Sequence, residues 1–556
     1  DTTKSIELKA KADLFCSFFT NVTLSLKKSK ILLKDFVWKE DEKIPPSTNE
    51  IFKFQYVSRI YVEKELKGLK RHKATGPDNL PPTLLKDSAS QISKPLSHII
   101  NLSLKSSTVP YEWKKAKITP IFKSGSSTKV DNYRPISVLP VFAKILEKCV
   151  HSQVINYLED NNLLCKEQFG YRRKRSTEMA TTLFIDDARR NIDEGKLVGA
   201  VFIDISKAFD TIGHSKLLSK LSAYGIFGPE LEWFTNYLFD RTQFVTIKNT
   251  DSYHDRVLCG VPQGSILGPL LFLIYYNDLQ KVIKNSKIIK FADDTVVYYA
   301  HESSLEIEKV LNDELKQILK YFNDNDLVLN TNKGKTEVML FGTQRRLSKH
   351  SDLDLYLGFS KINNTNTYKY LGTTLDKSLS LKNNLEKIYK TNQSRHRLMS
   401  SIRANIDQKS AQLTYNVMIS PLFTFNCIVH LNFTNTQIKK ITSLDERAHR
   451  LIYGTENIPI SSLRNSSLRH ACGLVRKCLD KNICSNFHNY FHLNDHQLNT
   501  RNSRYMLKIP KIKLETARSS FYFMGAVIYN KLPLNIRKIE DYNEFQKNLK
   551  EFNFPF

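Results

Sequence analysis

The stretch "KIIKFADDTVVYYA", residues 287–300, sets two adjacent carboxylates, Asp293 and Asp294, inside an apolar, β-branched and aromatic run. Adjacent carboxylates repel each other and lose solvation if the run is buried. Two strands joined by a tight turn would carry both acids at the apex, where a divalent cation turns repulsion into ligation. Oxygen-only ligands suit Mg²⁺, which binds one or two carboxylates together with substrate phosphates. An exposed turn with two solvated acids explains this segment equally well, so on its own it leaves both readings open.

A second segment shifts the balance. "AVFIDISKAFDTI", residues 200–212, also ends an apolar strand at an acid, Asp204, before turning toward a helix. Two strand-end acids brought together could hold a metal pair about 3.5–4 Å apart, the arrangement that serves in-line phosphoryl displacement. Asp210, six residues on, reads as a local hydrogen-bond acceptor or helix cap.

The rest of the chain is consistent with work on a polyanion. Its 556 residues exceed one core, so three or four subdomains of about 100–200 residues are expected. Lys and Arg outnumber Asp and Glu by 27, an excess that suits nucleic acid or an anionic membrane face. The longest apolar stretch, "ILGPLLFLIYY", falls short of the ~20 residues of a spanning helix, and no signal-peptide pattern opens the chain, so no membrane partner is expected. Eight cysteines without a C-x-x-C pair suggest reduced thiols in an intracellular compartment. His470, Cys472, Cys478, Cys484 and His488 lack structural-zinc spacing, and "LVRKCLDKNIC" reads better as a helix with small buried thiols.

Periodicity outlines the elements. Residues 1–65 read as helical and amphipathic. "AKITPIF" and "KLVGAVFID" read as strands and "PVFAKILEKCVHSQVINYLED" as a helix. "TQFVTIK" and "DRVLCG" read as a hairpin pair, followed by the helix "ILGPLLFLIYYNDL". A further helix spans about 303–325, with short strands near "KTEVMLFG" and "YKYLGTTLD". Beyond 379 the pattern is mainly helical, with Leu381, Leu385 and Ile388 at helical spacing and Lys382, Lys387, Lys390, Arg395 and Arg397 supplying positive surface. In 456–556, 16 Lys plus Arg face 8 acids.

"FIDISKAFD", "GVPQGSILGPLLFLIYYNDL" and "FADD", in that order, resemble motifs A, B and C of a reverse transcriptase. "ATGPDNLPPTLLK", "ITPIFKSGSSTKVDNYRPISVLPVFAKILEK", "EQFGYRRKRSTEMA", "NTNKGKTEVMLFG" and "YKYLGTTLD" resemble the accompanying motifs of the non-LTR (LINE) retrotransposon branch. "HQLNTRNSRYMLKIP" and "SSFYFMGAVIYNKLPLNIRKIEDYNEFQKNLKEF" resemble the C-terminal tail of jockey- and chicken-repeat-like elements. The resemblance implies an α+β right-hand polymerase with an antiparallel palm sheet and a mainly helical thumb and C-terminal extension. Its parts would be a helical N-terminal extension (1–65), fingers and palm (66–345), a primer-grip sheet (346–378), a helical thumb (379–455) and a basic C-terminal domain (456–556).

Roles follow by resemblance. Asp204, Asp293 and Asp294 would be the catalytic and metal-binding acids, holding two Mg²⁺ ions, with Mn²⁺ as the alternative. Phe209 would be the steric gate against a ribose 2′-hydroxyl, with an ordinary core Phe as the rival reading. Gln263 and Gly264 would lie under the incoming nucleotide, where glycine permits close backbone approach. Lys123 and Arg134 would neutralise the triphosphate, and Lys335 would protonate departing pyrophosphate or act as a bare charge. Tyr370, Leu371 and Gly372 would form the primer grip. In "YRRKR", Arg172 and Arg173 would face template phosphate, although the run also reads as a nuclear localisation signal. Lys387, Lys390, Arg395 and Arg397 would hold the backbone of RNA or an RNA–DNA heteroduplex.

The expected reaction is RNA-directed addition of dNTPs to a primer, in target-primed reverse transcription. Template RNA and a DNA primer or target are the partners, and the location is the nucleus with a cytoplasmic ribonucleoprotein stage. Gly213 and "PLFTFNCIVHLNF" depart from the family pattern. No endonuclease motif precedes the polymerase motifs and no nuclease or zinc knuckle follows them, so the chain is expected to lack the nicking half. A viral RNA polymerase would want Gly at Ala292 and a smaller residue at Phe209, and a maturase would want a different tail. A domesticated RNA-binding scaffold would have lost a metal acid, yet all three are present.

Overall fold

The strand Leu197–Ile203, buried at all seven positions, is the centre of the fold in the computed structural model, which describes residues 2–28, 47–332, 334–431, 435–454, 463–494 and 505–554. It belongs to a five-stranded sheet in the order Asn363–Asn364, Glu337–Phe341, Leu197–Ile203, Asp294–His301, Lys287–Phe291. The pairs are antiparallel except for the short edge strand Asn363–Asn364. Successive side chains point to opposite faces, so the strand serves two cores. Leu197, Val201 and Ile203 join Ile307 and Leu311 of the helix Ser304–Asp324 and the apolar helix Leu267–Tyr276. Val198, Ala200 and Phe202 join Phe184 and Ile185 of the helix Thr177–Asp193. Burial on both faces explains why this stretch reads as an unbroken apolar run.

A second sheet is separate from the first. It runs Tyr133–Val138, Lys115–Phe122, Thr242–Ile247, Thr250–Asp251, with Asp255–Arg256 also on Thr242–Ile247. The hairpin expected from "TQFVTIK" and "DRVLCG" therefore shrinks to two residue pairs, and the main partner of Thr242–Ile247 is Lys115–Phe122, in parallel. The helix Thr2–Lys28 seats Phe15, Cys16, Phe18 and Phe19 on this sheet against Ile118, Leu139 and Val245.

The reading of 1–65 as helical needs correcting. Residues 47–57 hold no regular element, and the helix Arg59–Lys67 crosses the expected boundary at 65. Phe52 and Phe54 alternate with exposed Ile51, Lys53 and Gln55, an extended pattern, and the Ser47 and Phe52 N–H groups donate to the carbonyls of Ala223 and Gly225.

Beyond the sheets, the helices Lys382–Ile402, Gln408–Thr414 and Asn435–Tyr453 gather around Met399, Ala411, Tyr415, Leu444 and Ile452. The C-terminal helices Leu463–Leu479, Phe521–Asn530 and Tyr542–Glu551 do not build a separate core. Their Leu468, Val475, Phe521 and Phe545 complete the second face of the central sheet. Polar anchors fix this union. Buried Arg189 donates to the carbonyls of Ser519 (2.9 Å) and Leu379 (3.0 Å), and the Asp186 carboxylate accepts the N–H groups of Phe521 and Tyr522, each at 3.0 Å. Cys472, Cys478 and Cys484 lie buried in that core, and all eight cysteines are free thiols. His488 hydrogen-bonds the Ile483 carbonyl at 2.8 Å. Of the tail motif at 496–510, residues 496–504 lie outside the described residues. Among the described residues no helix is long and apolar enough to cross a membrane.

Candidate active site

Phe291 pairs with Asp294, which leaves Ala292 and Asp293 as a two-residue turn with Ala292 at φ +56°. A non-glycine residue with positive φ is uncommon and must be held in place. Here Gln168 holds it: its Oε1 accepts the N–H groups of Ala292 and Gly170, both at 2.9 Å, and its Nε2 donates to the Ala292 carbonyl at 3.3 Å. A Cβ at Gly170 would stand 2.3 Å from the Ala292 nitrogen, so only glycine permits this approach. One strand over, Ile203 pairs with Thr295. The next residue, Asp204, therefore comes alongside Asp294 from the neighbouring strand end.

Asp204 is firmly oriented. Its N–H donates to Thr336 Oγ1 (3.3 Å), its carbonyl accepts the Asn330 N–H (2.9 Å), and its Oδ2 accepts Asn330 Nδ2 (2.9 Å). Lys335 Nζ stands 3.7 Å from its Oδ1. Burial, then the nearby Asp204 charge, raises the Asp293 carboxyl above its ordinary range, with Arg134 and Lys123 opposing. Asp294 is open at the cleft yet crowded by surrounding protein. That loss of bulk water, then Asp293 and Asp204, pushes it up to about 6 against Lys335 and Lys123. Lys123 is itself lowered, by burial and then by Lys335 and Arg134. Three carboxylates thus share a cleft with three cations. The acids offer oxygen ligands only and repel one another, a donor set that fits a hard divalent cation.

Beside the acids, the half-buried Phe209 ring stacks on Phe272 (5.0 Å, 25°) and meets the Tyr171 ring edge-on at 6.3 Å. Gln263 Nε2 donates to both oxygens of Asp210 at 2.9 Å, so Asp210 is a hydrogen-bond acceptor, but for a loop 53 positions away in sequence instead of a local group. Burial pushes the Asp210 carboxyl up to about 6. Gly264, at φ +134°, does approach a backbone closely, but that backbone is Ser137: a Cβ would stand 2.3 Å from the Ser137 oxygen. The Ser137 N–H donates to the Gln263 carbonyl at 2.8 Å, stitching the loop to the second sheet.

The hairpin Thr367–Tyr370/Thr373–Asp376 turns through Leu371 (φ +43°) and Gly372 (φ +89°). Tyr370 is buried beside Phe184 and Phe202, while Tyr368 stacks on Phe202 at 4.1 Å.

Two proposed nucleic-acid contacts need revision. The Arg172 side chain is only 6% exposed, paired with Glu159 and bonded to the Cys165 carbonyl, so it serves the fold while Arg173 faces solvent. Lys387, Lys390 and Arg397 are exposed along one helix, with Lys390 2.8 Å from Glu386, whereas Arg395 turns to the Met418 carbonyl. Gln168, Asn330 and Thr336 were missed. Their signal was present in "EQFG" and "NTNKGKT", but neutral polar side chains in turns carry no distinguishing mark.

Residues 121–375 match the family described as reverse transcriptase (RNA-dependent DNA polymerase). The chain is 25% identical over 393 residues to a probable RNA-directed DNA polymerase from the transposon X-element of Drosophila melanogaster, covering 69% of this chain and 42% of that protein. It is 28% identical over 391 residues to the RNA-directed DNA polymerase from the mobile element jockey of the same fly, covering 68% and 41%. A probable RNA-directed DNA polymerase from the fly transposon BS is 26% identical over 404 residues, covering 70% and 44%. The matches span less than half the length of these relatives.

Proposed function

We propose that this chain, whose residues 121–375 match the reverse transcriptase family, is the RNA-directed DNA polymerase of a non-LTR retrotransposon. The observation that carries the reading is the meeting of Asp204 with the Ala292–Asp293 turn beside Lys123, Arg134 and Lys335. In a right-hand polymerase the central sheet is the palm, the second sheet belongs to the fingers, and the helices of 379–455 are the thumb.

Asp204, Asp293 and Asp294 would hold two Mg²⁺ ions, which when bound supply Lewis acidity to the attacking hydroxyl and the leaving phosphate oxygen. The primer 3′-hydroxyl gives its proton to solvent and its oxygen bonds to the α-phosphorus of a dNTP as the bond to pyrophosphate breaks. Lys123 and Arg134 offset the triphosphate charge. Lys335, 3.7 Å from Asp204, would give a proton to pyrophosphate. Asn330 fixes the Asp204 carboxylate, and Gln168 fixes the turn that carries Asp293. Phe209 stands where the sugar is read. The Leu371–Gly372 turn holds the primer, and the exposed thumb cations hold the template duplex by charge.

The primer is the 3′-end of a nicked DNA target, so the work is nuclear, with RNA bound beforehand in a cytoplasmic ribonucleoprotein. The test is extension of a DNA primer on an RNA template by the purified chain with Mg²⁺. Template-directed dNTP addition supports the reading, and addition restricted to rNTPs would replace it with an RNA polymerase.

A further inference from the structure

We propose that Glu178, Cys427 and His470 form a zinc site, remote in chemistry from the all-oxygen acidic cleft. Glu178 lies in the first turn of the helix Thr177–Asp193, which backs the central sheet. Cys427 opens the short turn Cys427–His430, and His470 belongs to the C-terminal helix Leu463–Leu479. These residues are 249 and 292 positions from Glu178 in sequence. His470 Nε2 nevertheless lies 2.7 Å from Glu178 Oε2, and Cys427 Sγ lies 3.9 Å from Oε1. One donor atom from each residue falls within 4.8 Å of the others.

Sulfur, imidazole nitrogen and carboxylate oxygen are the donors zinc takes, at bond lengths of about 2.0–2.3 Å. Such bonds set neighbouring ligand atoms roughly 3.3–3.8 Å apart in a tetrahedron, so small side-chain movements complete the geometry. The His470 side chain is 47% exposed, which leaves a solvent-facing fourth position for water. Glu178 is only 14% exposed, and among the described residues its one ion-pair partner is His470. Among the described residues its Oε1 meets weak donors, the thiol and the Ile428 N–H at 3.4 Å. The helix N-terminus stabilises such a carboxylate in part, but that does not account for a thiol and an imidazole arriving from two other segments. Of the five Cys and His residues clustered at 470–488, His470 alone takes part.

The site would staple three parts of the chain. It also adjoins the hairpin assigned to the primer: Asn426, next to Cys427, donates to Thr373 Oγ1 at 2.9 Å, and the Phe425 ring covers Gly372.

The experiment uses the full chain, stripped with chelator and titrated with Co²⁺ or Zn²⁺ in saturating Mg²⁺. We expect a cobalt–thiolate charge-transfer band at one equivalent, displaced by Zn²⁺, and a rise in thermal midpoint on zinc addition. Cys427→Ser should abolish the band. His470→Gln, at an exposed position where the fold is not at stake, should weaken zinc binding at least tenfold, as should Glu178→Gln. Cys259→Ser, outside the site, should change neither. Absence of the band, or a band that survives Cys427→Ser, would overturn the site, as would unaltered zinc affinity in a folded His470→Gln protein. None of these readouts depends on polymerase activity.

Discussion

In the proposed reaction Phe209 would be the single ring on which the choice of sugar depends. Stacked on Phe272, it cannot yield to a 2′-hydroxyl without moving the core behind it. Phe209→Val should therefore admit ribonucleotides, and the dNTP-to-rNTP ratio of incorporation efficiencies should fall by well over tenfold, beyond the 1–3 kcal/mol of one missing methylene. Equal losses for both sugars would mark Phe209 as a packing residue. At this scale the acids were legible because a carboxylate in an apolar run demands compensation. Asn330, Thr336 and Gln168 were not, because an amide or hydroxyl in a turn looks the same whether it props a ligand or meets water. Arg172 was misread for the same reason: a basic run does not say which member finds Glu159.

Among the elements, the Ala292–Asp293 turn and the helix Lys382–Ile402 make separate demands. Gln168→Ala removes two hydrogen bonds from a turn held at positive φ and a third from Gly170, which packs against it. It should cost about 1–3 kcal/mol of stability and slow extension while leaving template affinity intact; unaltered extension would show that the turn holds itself. On the helix, replacing Lys387, Lys390 and Arg397 with Gln should flatten the slope of log affinity against log salt by roughly one unit per lost phosphate contact. Arg395→Gln should leave the slope alone and lower stability, since its guanidinium serves the Met418 carbonyl. A slope unaffected by the triple change would mean a merely solvated face. Strands and helices were legible from their periods. Residues 47–57 were not, because their alternation is short and their pairing is with distant Ala223 and Gly225.

Across the whole molecule, a C-terminal region that composition describes only as basic completes one face of the central sheet. Which sheet face its apolar side chains would cover depends on contacts more than 300 residues apart, such as Asp186 with Phe521, and no local pattern encodes them. The mixed helix-and-sheet class with antiparallel strands, by contrast, was legible, because ordered motifs constrain topology. Burial pushes Asp186 up to about 6 from the ordinary 3.8. Below 3.8 it is neutral whether folded or unfolded and costs nothing. As pH rises toward 6 and beyond, the folded protein must bury a charge and that stability is lost. Relative to Asp186→Asn, the wild-type chain should therefore gain stability between pH 7 and pH 4, by at most roughly 3 kcal/mol; parallel unfolding curves would contradict the assignment.

The central claim is that the strand-end acids perform nucleotide addition, and Asp293→Asn tests it most directly. Primer extension and RNA affinity should be measured on the same preparation. Extension should be lost while affinity and its salt dependence stay unchanged, because the substitution would remove a metal ligand and leave the basic surfaces intact. Extension at the wild-type rate would contradict that claim.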